Sequence, residues 1–198
     1  VIHSYFLASE DEVFSHELSY GIDQKGNRNR ISNFPFISQE EFTEYFIKET
    51  FNYPNKGFII RLHPRMAANK RNFFESAEHI RYKKLLLRLK VPENVFIIYG
   101  DSNISSYYVI NISELIITTW STIALESLLL GKRAIALFPF RTCYPIASFS
   151  NQPKDWKECI ETIFKDKNLG IVNDICLISW MQNAFESQFF FTPVPRGK

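Results

Sequence analysis

Apolar residues along this chain come in short, nearly continuous runs rather than in strict alternation. Five stand out: residues 1–8 (VIHSYFLA), 58–62 (FIIRL), 94–99 (NVFIIY), 115–119 (LIITT) and 134–138 (AIALF). Such runs predict strands buried on both faces of a parallel sheet. Between them, apolar positions recur at helical spacing. Ser38-Gln39-Glu40-Glu41 reads as a capping box ahead of Phe42, Phe46 and Ile47. A second helix is predicted over 81–89, with Leu85, Leu86 and Leu89 on one face, and a short one over 105–112. Residues 121–130 place Leu125, Leu128 and Leu129 on one side and stop at Gly131, a helix C-terminus signal. Residues 155–165, with Trp156, Cys159, Ile160 and Ile163 in phase, and 175–185 complete the helices, and 19–32 reads as a loop. Strand–helix alternation of this kind predicts an α/β fold, a Rossmann-like, doubly wound parallel sheet with right-handed crossovers. The whole span 1–198 reads as one domain, with 140–198 as its C-terminal helical part.

Composition narrows the class. A chain of 198 residues, 45% hydrophobic, is long enough for one core. No apolar run approaches the ~20 residues of a membrane-spanning helix, and nothing at the start has the pattern of a secretory signal. Cys143, Cys159 and Cys176 include no CxxC pair, so neither a disulfide framework nor a zinc site is predicted; they read as small core residues in a reducing compartment. The net charge of +2 hides an asymmetry. Residues 1–56 hold nine acidic against five basic side chains, and residues 57–90 hold nine basic against two acidic. The basic block points to an anionic ligand or surface, with a solvated helix face as the equal alternative for 81–90. The near-neutral total argues against nucleic acid as a partner. The chain opens at Val1 rather than methionine, and it is expected to be a piece of a longer one.

Sheets of this class bind ligands at the carboxyl ends of their strands. Polar groups follow the runs there: Ser9-Glu10-Asp11, His63-Pro64-Arg65, Gly100-Asp101-Ser102 and Trp120-Ser121-Thr122. In Arg61-Leu62-His63-Pro64-Arg65, the proline disfavours helical geometry at His63 and holds the imidazole at the strand end. An imidazole flanked by two guanidinium groups suits a phosphate or a leaving group that gains charge. The plainer reading is a histidine that finishes a strand. Ser121 stands where a strand turns into a helix, a place that favours an anion. Thr122 and Glu126 lie one helical turn apart on one face, where a hydroxyl and a carboxylate could span a nucleotide, the carboxylate on the ribose. The plainer reading is N-capping by Ser121 with Glu126 in solvent. Asp101 could touch base or ribose, or simply finish a turn. Phe189-Phe190-Phe191 reads as packing against another domain, or as a membrane or partner contact.

The order and spacing of these motifs, His63-Pro64 and then Ser121-Thr122 with Glu126 and Gly131, resemble the C-terminal nucleotide-binding domain of GT-B glycosyltransferases of bacterial surface-polysaccharide synthesis. The likeness covers roughly residues 1–139 and is strongest to the capsule and O-antigen Kdo transferases. Bacterial sialyltransferases and polysialyltransferases share a similar His-Pro motif and a later Ser-Ser/Thr motif. CDP-glycerol glycerophosphotransferases share the Arg-x-His-Pro pattern.

The resemblance implies one half of a GT-B architecture. It implies that His63 contacts the donor phosphate and assists its departure, that Ser121 and Thr122 bind that phosphate, and that Glu126 binds the ribose. Arg65 and Asp101 join the expected donor-binding set. The implied reaction transfers a sugar, Kdo foremost, from a CMP-activated donor onto a bacterial polysaccharide or glycolipid acceptor. No cofactor is expected, and no metal, because no DxD-like cluster is present. A CDP-glycerol or CDP-ribitol phosphotransferase and a non-catalytic GT-like module are the alternatives. The implied partners are the donor, the acceptor and a missing N-terminal GT-B domain. The implied location is cytoplasmic, either free or peripheral at the inner face of the bacterial membrane. The acidic motif that such an N-terminal domain carries has no match here, so the 198 residues alone are expected to bind nucleotide weakly and catalyse nothing.

Overall fold

A computed structural model describes residues 1–10, 35–68, 73–119, 121–137 and 153–167. Its centre is a five-stranded, all-parallel sheet of β1 (Ile2–Phe6), β2 (Gly57–Arg61), β3 (Val95–Ile98), β4 (Leu115–Thr118) and β5 (Arg133–Ala136). The spatial order is β3-β2-β1-β4-β5. The chain therefore winds outward from β1 through β2 to β3, then returns across to β4 and β5. The reversal leaves a crevice between the carboxyl ends of β1 and β4.

Among the described residues, five helices cover the two faces: α1 (Gln39–Thr50), α2 (Ala77–Arg88), α3 (Ser106–Ile112), α4 (Ile123–Leu129) and α5 (Trp156–Lys165). Ser38 caps α1 by accepting the Glu41 N–H, as its sequence predicts. Ser76 and Asp155 cap α2 and α5 in the same way. α2 thus begins four residues before the predicted start, because Ala77–Ile80 continue the helix once Ser76 supplies a cap. Gly131, at φ +70, ends the α4 segment as its position predicts.

One face of the sheet packs on α1, α2 and α5 around Tyr5, Phe42, Phe46, Phe58 and Phe164. The Phe46 ring meets Phe58 edge-on at 5.6 Å and lies 5.4 Å from Phe164. The other face packs on α3 and α4 through Phe6, Ile59, Ile116, Val109 and Leu125, with Ala124, Ala134 and Ala136 letting α4 approach closely. Cys159 is fully buried in the first layer, as a small core residue should be.

Two local readings are corrected. Leu129 is 41% exposed rather than packed with Leu125 and Leu128, because seven-residue α4 ends before that face turns back to the sheet. Phe96, on edge strand β3, is 59% exposed, so this strand is not covered on both faces. Two basic residues of α2 meet acids of the first third of the chain: Arg81 pairs with Glu10 at 2.6 Å and approaches Glu40, and Arg88 approaches Glu44. Part of the charge asymmetry of the sequence is thus internal complementarity. The predicted loop 19–32 and helix 175–185, Cys143, Cys176 and Phe189–Phe191 lie outside the described residues. Among the described residues, no helix is long and apolar enough to cross a membrane.

Candidate functional site

His63 and Ser121 follow β2 and β4, the two strands that flank β1. Those strand ends are two spacings, about 10 Å, apart across the crevice. His63 precedes a short 3₁₀ turn, Pro64–Met66, and has the extended backbone (φ −64, ψ 133) that a following proline favours. Its Nδ1 accepts the Arg65 backbone N–H at 3.2 Å. The neutral imidazole therefore carries its proton on Nε2. Arg65 itself is exposed at the rim of this turn.

The turn is seated on Gly100, just after β3. A Cβ at Gly100 would lie 2.8 Å from the His63 carbonyl oxygen and 3.2 Å from the Ala67 Cβ. Only a residue without a side chain lets the two strand ends approach this closely. Along the sequence Gly100 only marks the end of an apolar run, and no one-dimensional pattern names its neighbour.

The second motif differs in detail from expectation. α4 begins at Ile123, with Thr122 already in helical conformation and making no side-chain cap bond. Ser121 accepts the Ile123 N–H at 3.3 Å instead of reaching N2 or N3, the usual targets of a capping hydroxyl. Glu126 does not stand in solvent by itself: the Thr122 hydroxyl donates to its Oε1 at 2.9 Å and the Tyr107 hydroxyl to its Oε2 at 2.7 Å. The Glu126 carboxylate in turn holds the Tyr107 phenol above the usual tyrosine range. Each carboxylate oxygen keeps a second acceptor site, so the group is oriented but not used up. Tyr107, on α3, was missed by sequence reasoning, although two consecutive tyrosines on so short a helix are a weak signal.

Gln39 closes the floor between the two central strands. Its amide accepts the Ala8 N–H at 2.9 Å and donates to the Ala8 carbonyl at 2.9 Å, as a neighbouring strand would. The same side chain donates to the Tyr82 hydroxyl and accepts from Thr119. A helix residue thereby pins the carboxyl ends of β1 and β4 to each other.

Asp101 lies farther out. It follows edge strand β3 and faces the α2 side, where its charge acts on His79 and Lys83. It does not share the crevice flank occupied by Ser121 and Glu126. Arg61 also departs from expectation. Instead of flanking the imidazole at the rim, it is 5% exposed and its Nε donates to the Ser106 hydroxyl at 3.0 Å. It ends β2 on the face that α3 covers.

The sheet order and crevice define a Rossmann-like α/β domain. The fold is similar to that of the UDP-GlcNAc 2-epimerase of Methanocaldococcus jannaschii, solved with UDP-GlcNAc and UDP: TM-score 0.53, 14% identity, over 95% of this chain and 45% of that one. A second structure of that epimerase gives 0.50 and 14%, over 93% and 45%. The β-Kdo 2,4-transferase KpsC of Thermosulfurimonas dismutans gives 0.43 and 15%, over 90% and 43%. The chain thus spans less than half the length of these solved structures. No family model and no curated protein sequence matches it.

Proposed function

We propose that this chain is the donor-nucleotide domain of a GT-B-type glycosyltransferase, taking a CMP-activated sugar, Kdo foremost, for transfer to a bacterial polysaccharide or glycolipid acceptor. The reading rests on one observation: His63 and the Ser121–Glu126 segment stand on either side of β1 at the point where the strand order reverses. In this reading, the donor phosphate lies between them. Breaking the bond from the anomeric carbon to the phosphate oxygen leaves that electron pair, and new charge, on the phosphate. The His63 Nε2–H answers that charge as it develops, with Arg65 at the rim and the Ser121 and Thr122 hydroxyls on the far side. Glu126, oriented by Tyr107 and Thr122, takes the ribose hydroxyls. Acceptor binding and the base belong to a second domain, and the whole enzyme works in the cytoplasm or against the inner face of the membrane.

The fold likeness to an epimerase solved with UDP favours a second reading, a uridine-nucleotide domain. Isothermal titration with CMP, CDP and UDP separates the two. Tightest binding of CMP supports the transferase reading, preference for UDP supports the second, and preference for CDP supports a phosphotransferase. Binding of none of them overturns a nucleotide role.

A further inference from the structure

Among the described residues, three buried polar atoms at the carboxyl ends of three neighbouring strands have no hydrogen-bond partner: Arg61 Nη1 at the end of β2, Ser9 Oγ after β1 and Thr118 Oγ1 at the end of β4. Register ties two of them together. Arg61 pairs with Phe6 and Phe6 with Thr118, so Arg61 and Thr118 share one cross-strand row on the α3/α4 face. Buried polar groups almost always find partners, and a buried cation without one is costly. Among the described residues Arg61 forms no ion pair with a carboxylate, and its one side-chain bond there is from Nε to the Ser106 hydroxyl. That bond helps fix the plane of the guanidinium and leaves Nη1 buried without a partner at the strand end, the end of the sheet where ligands of this fold bind.

We propose that Arg61 is the anion anchor of the crevice, its guanidinium taking a phosphoryl oxygen of the bound nucleotide from beneath, with the Ser9 and Thr118 hydroxyls as further donors on the adjoining strand ends. The assignment deepens the donor-domain reading and rests on it for the identity of the ligand. It gives the crevice a full charge, whereas His63 supplies a single N–H donor. The division matches the chemistry: a fixed cation holds the phosphate in ground and transition states alike, and the imidazole responds to the charge that grows. Guanidinium suits the place because it stays charged when buried and presents a planar fork to oxyanions.

The experiment compares wild type with Arg61→Gln and Arg61→Lys, using CMP, cytidine, inorganic phosphate and N-acetylneuraminate as probes. For wild type, CMP binds more tightly than cytidine, and phosphate raises the melting temperature. In Arg61→Gln, CMP affinity falls by about 10- to 100-fold, the range for a lost hydrogen bond to a charged group. Cytidine affinity holds, phosphate protection vanishes, and the ligand-free melting temperature holds or rises because an uncompensated buried charge is gone. Arg61→Lys recovers part of the CMP affinity, since the charge returns without the fork. Unchanged CMP binding in Arg61→Gln overturns the anchor. So does equal loss of CMP and cytidine with a lower melting temperature, the mark of a wedge that merely supports α3. Stabilisation by N-acetylneuraminate and not by phosphate overturns the phosphoryl assignment in favour of a sugar carboxylate. If neither CMP nor cytidine binds wild type, yet phosphate protects it and not Arg61→Gln, the donor reading fails while the anchor stands. Protection of wild type by neither phosphate nor CMP overturns the anchor.

Discussion

The Tyr107 hydroxyl donates to Glu126 Oε2 at 2.7 Å, joining α3 to α4 across the flank of the crevice. With Thr122 on the other carboxylate oxygen, Glu126 is held in one orientation before any ligand arrives. A carboxylate so held can accept a pair of adjacent hydroxyls without first losing side-chain freedom.

The first prediction concerns that orientation. Glu126→Ala should weaken CMP binding about tenfold or more, and should reduce the preference for CMP over 2′-deoxy-CMP. Tyr107→Phe should act in the same direction by a smaller factor, because it loosens the carboxylate without removing it. Titration calorimetry on the four combinations is the measurement. An undiminished preference for the ribonucleotide in Glu126→Ala would remove the ribose role.

His63 is expected to behave differently. In the full-length enzyme, His63→Ala should lower kcat far more than it raises KM, since the Nε2–H matters most when the phosphate departs. Steady-state kinetics with a CMP-sugar donor decides this. A variant that raises KM with kcat intact would make His63 a ground-state contact only.

Gly100 offers a geometric test of the same site. The methyl group of Gly100→Ala would meet the His63 carbonyl at 2.8 Å, so the Pro64 turn must shift. Overpacking of this kind costs about 1–3 kcal/mol. Both the melting temperature and CMP affinity should fall, because the displaced turn carries His63. A variant with wild-type melting behaviour would show that the turn yields freely.

At the opposite end of the sheet, stability should depend on pH through His3. This fully buried imidazole has Nδ1 2.6 Å from the Ile163 carbonyl and Nε2 3.2 Å from Asp166, whose other oxygen meets Lys56. Burial pushes the His3 pKa below the ordinary 6.5, outweighing the Ile163 carbonyl and the Asp166 charge. The folded state therefore resists the proton that the unfolded chain accepts. The stabilising contribution is complete above about pH 6.5 and is lost as pH falls from there toward the folded value. Asp166 adds a loss of the same sign further down: burial raises its pKa, but Lys56, His3 and Arg133 together bring it below the ordinary 3.8. His79, whose pKa burial also lowers, contributes in the same direction as His3. Urea unfolding at pH 7.5 and 5.5 should show a smaller decline for His3→Gln than for wild type. Identical declines would place the titration elsewhere.

Much of the architecture was legible along the chain because a doubly wound sheet writes itself in local terms. Continuous apolar runs mark strands buried on two faces, and Ser38, Asp155 and Gly131 mark helix ends by backbone chemistry that needs no distant partner. The strand ends after residues 62 and 119 could be named as ligand positions for the same reason. Order within the sheet was not local. That β1 lies between β2 and β4 follows from crossovers on opposite faces, and it alone brings His63 and Ser121 to either side of one crevice while leaving Asp101 beside an edge strand.

The sequence by itself determined which residues are strands and helices, and which polar groups follow the strands, because hydrophobic periodicity, capping and proline or glycine geometry act over a few residues. Only the tertiary structure decided what those groups do to one another. Gln39 reads as part of a capping box, yet it bonds Ala8 thirty-one residues away and Thr119 eighty away. Arg61 and Arg65 read as equal flanks of His63, yet one is buried against Ser106 and the other exposed, since strand pleat and the cover of α3 act on the first and not on the second. Tyr107 reaches Glu126 only because α3 and α4 pack side by side on one face. Contacts of that range arise when burial brings remote segments together, and spacing along the chain carries no record of them.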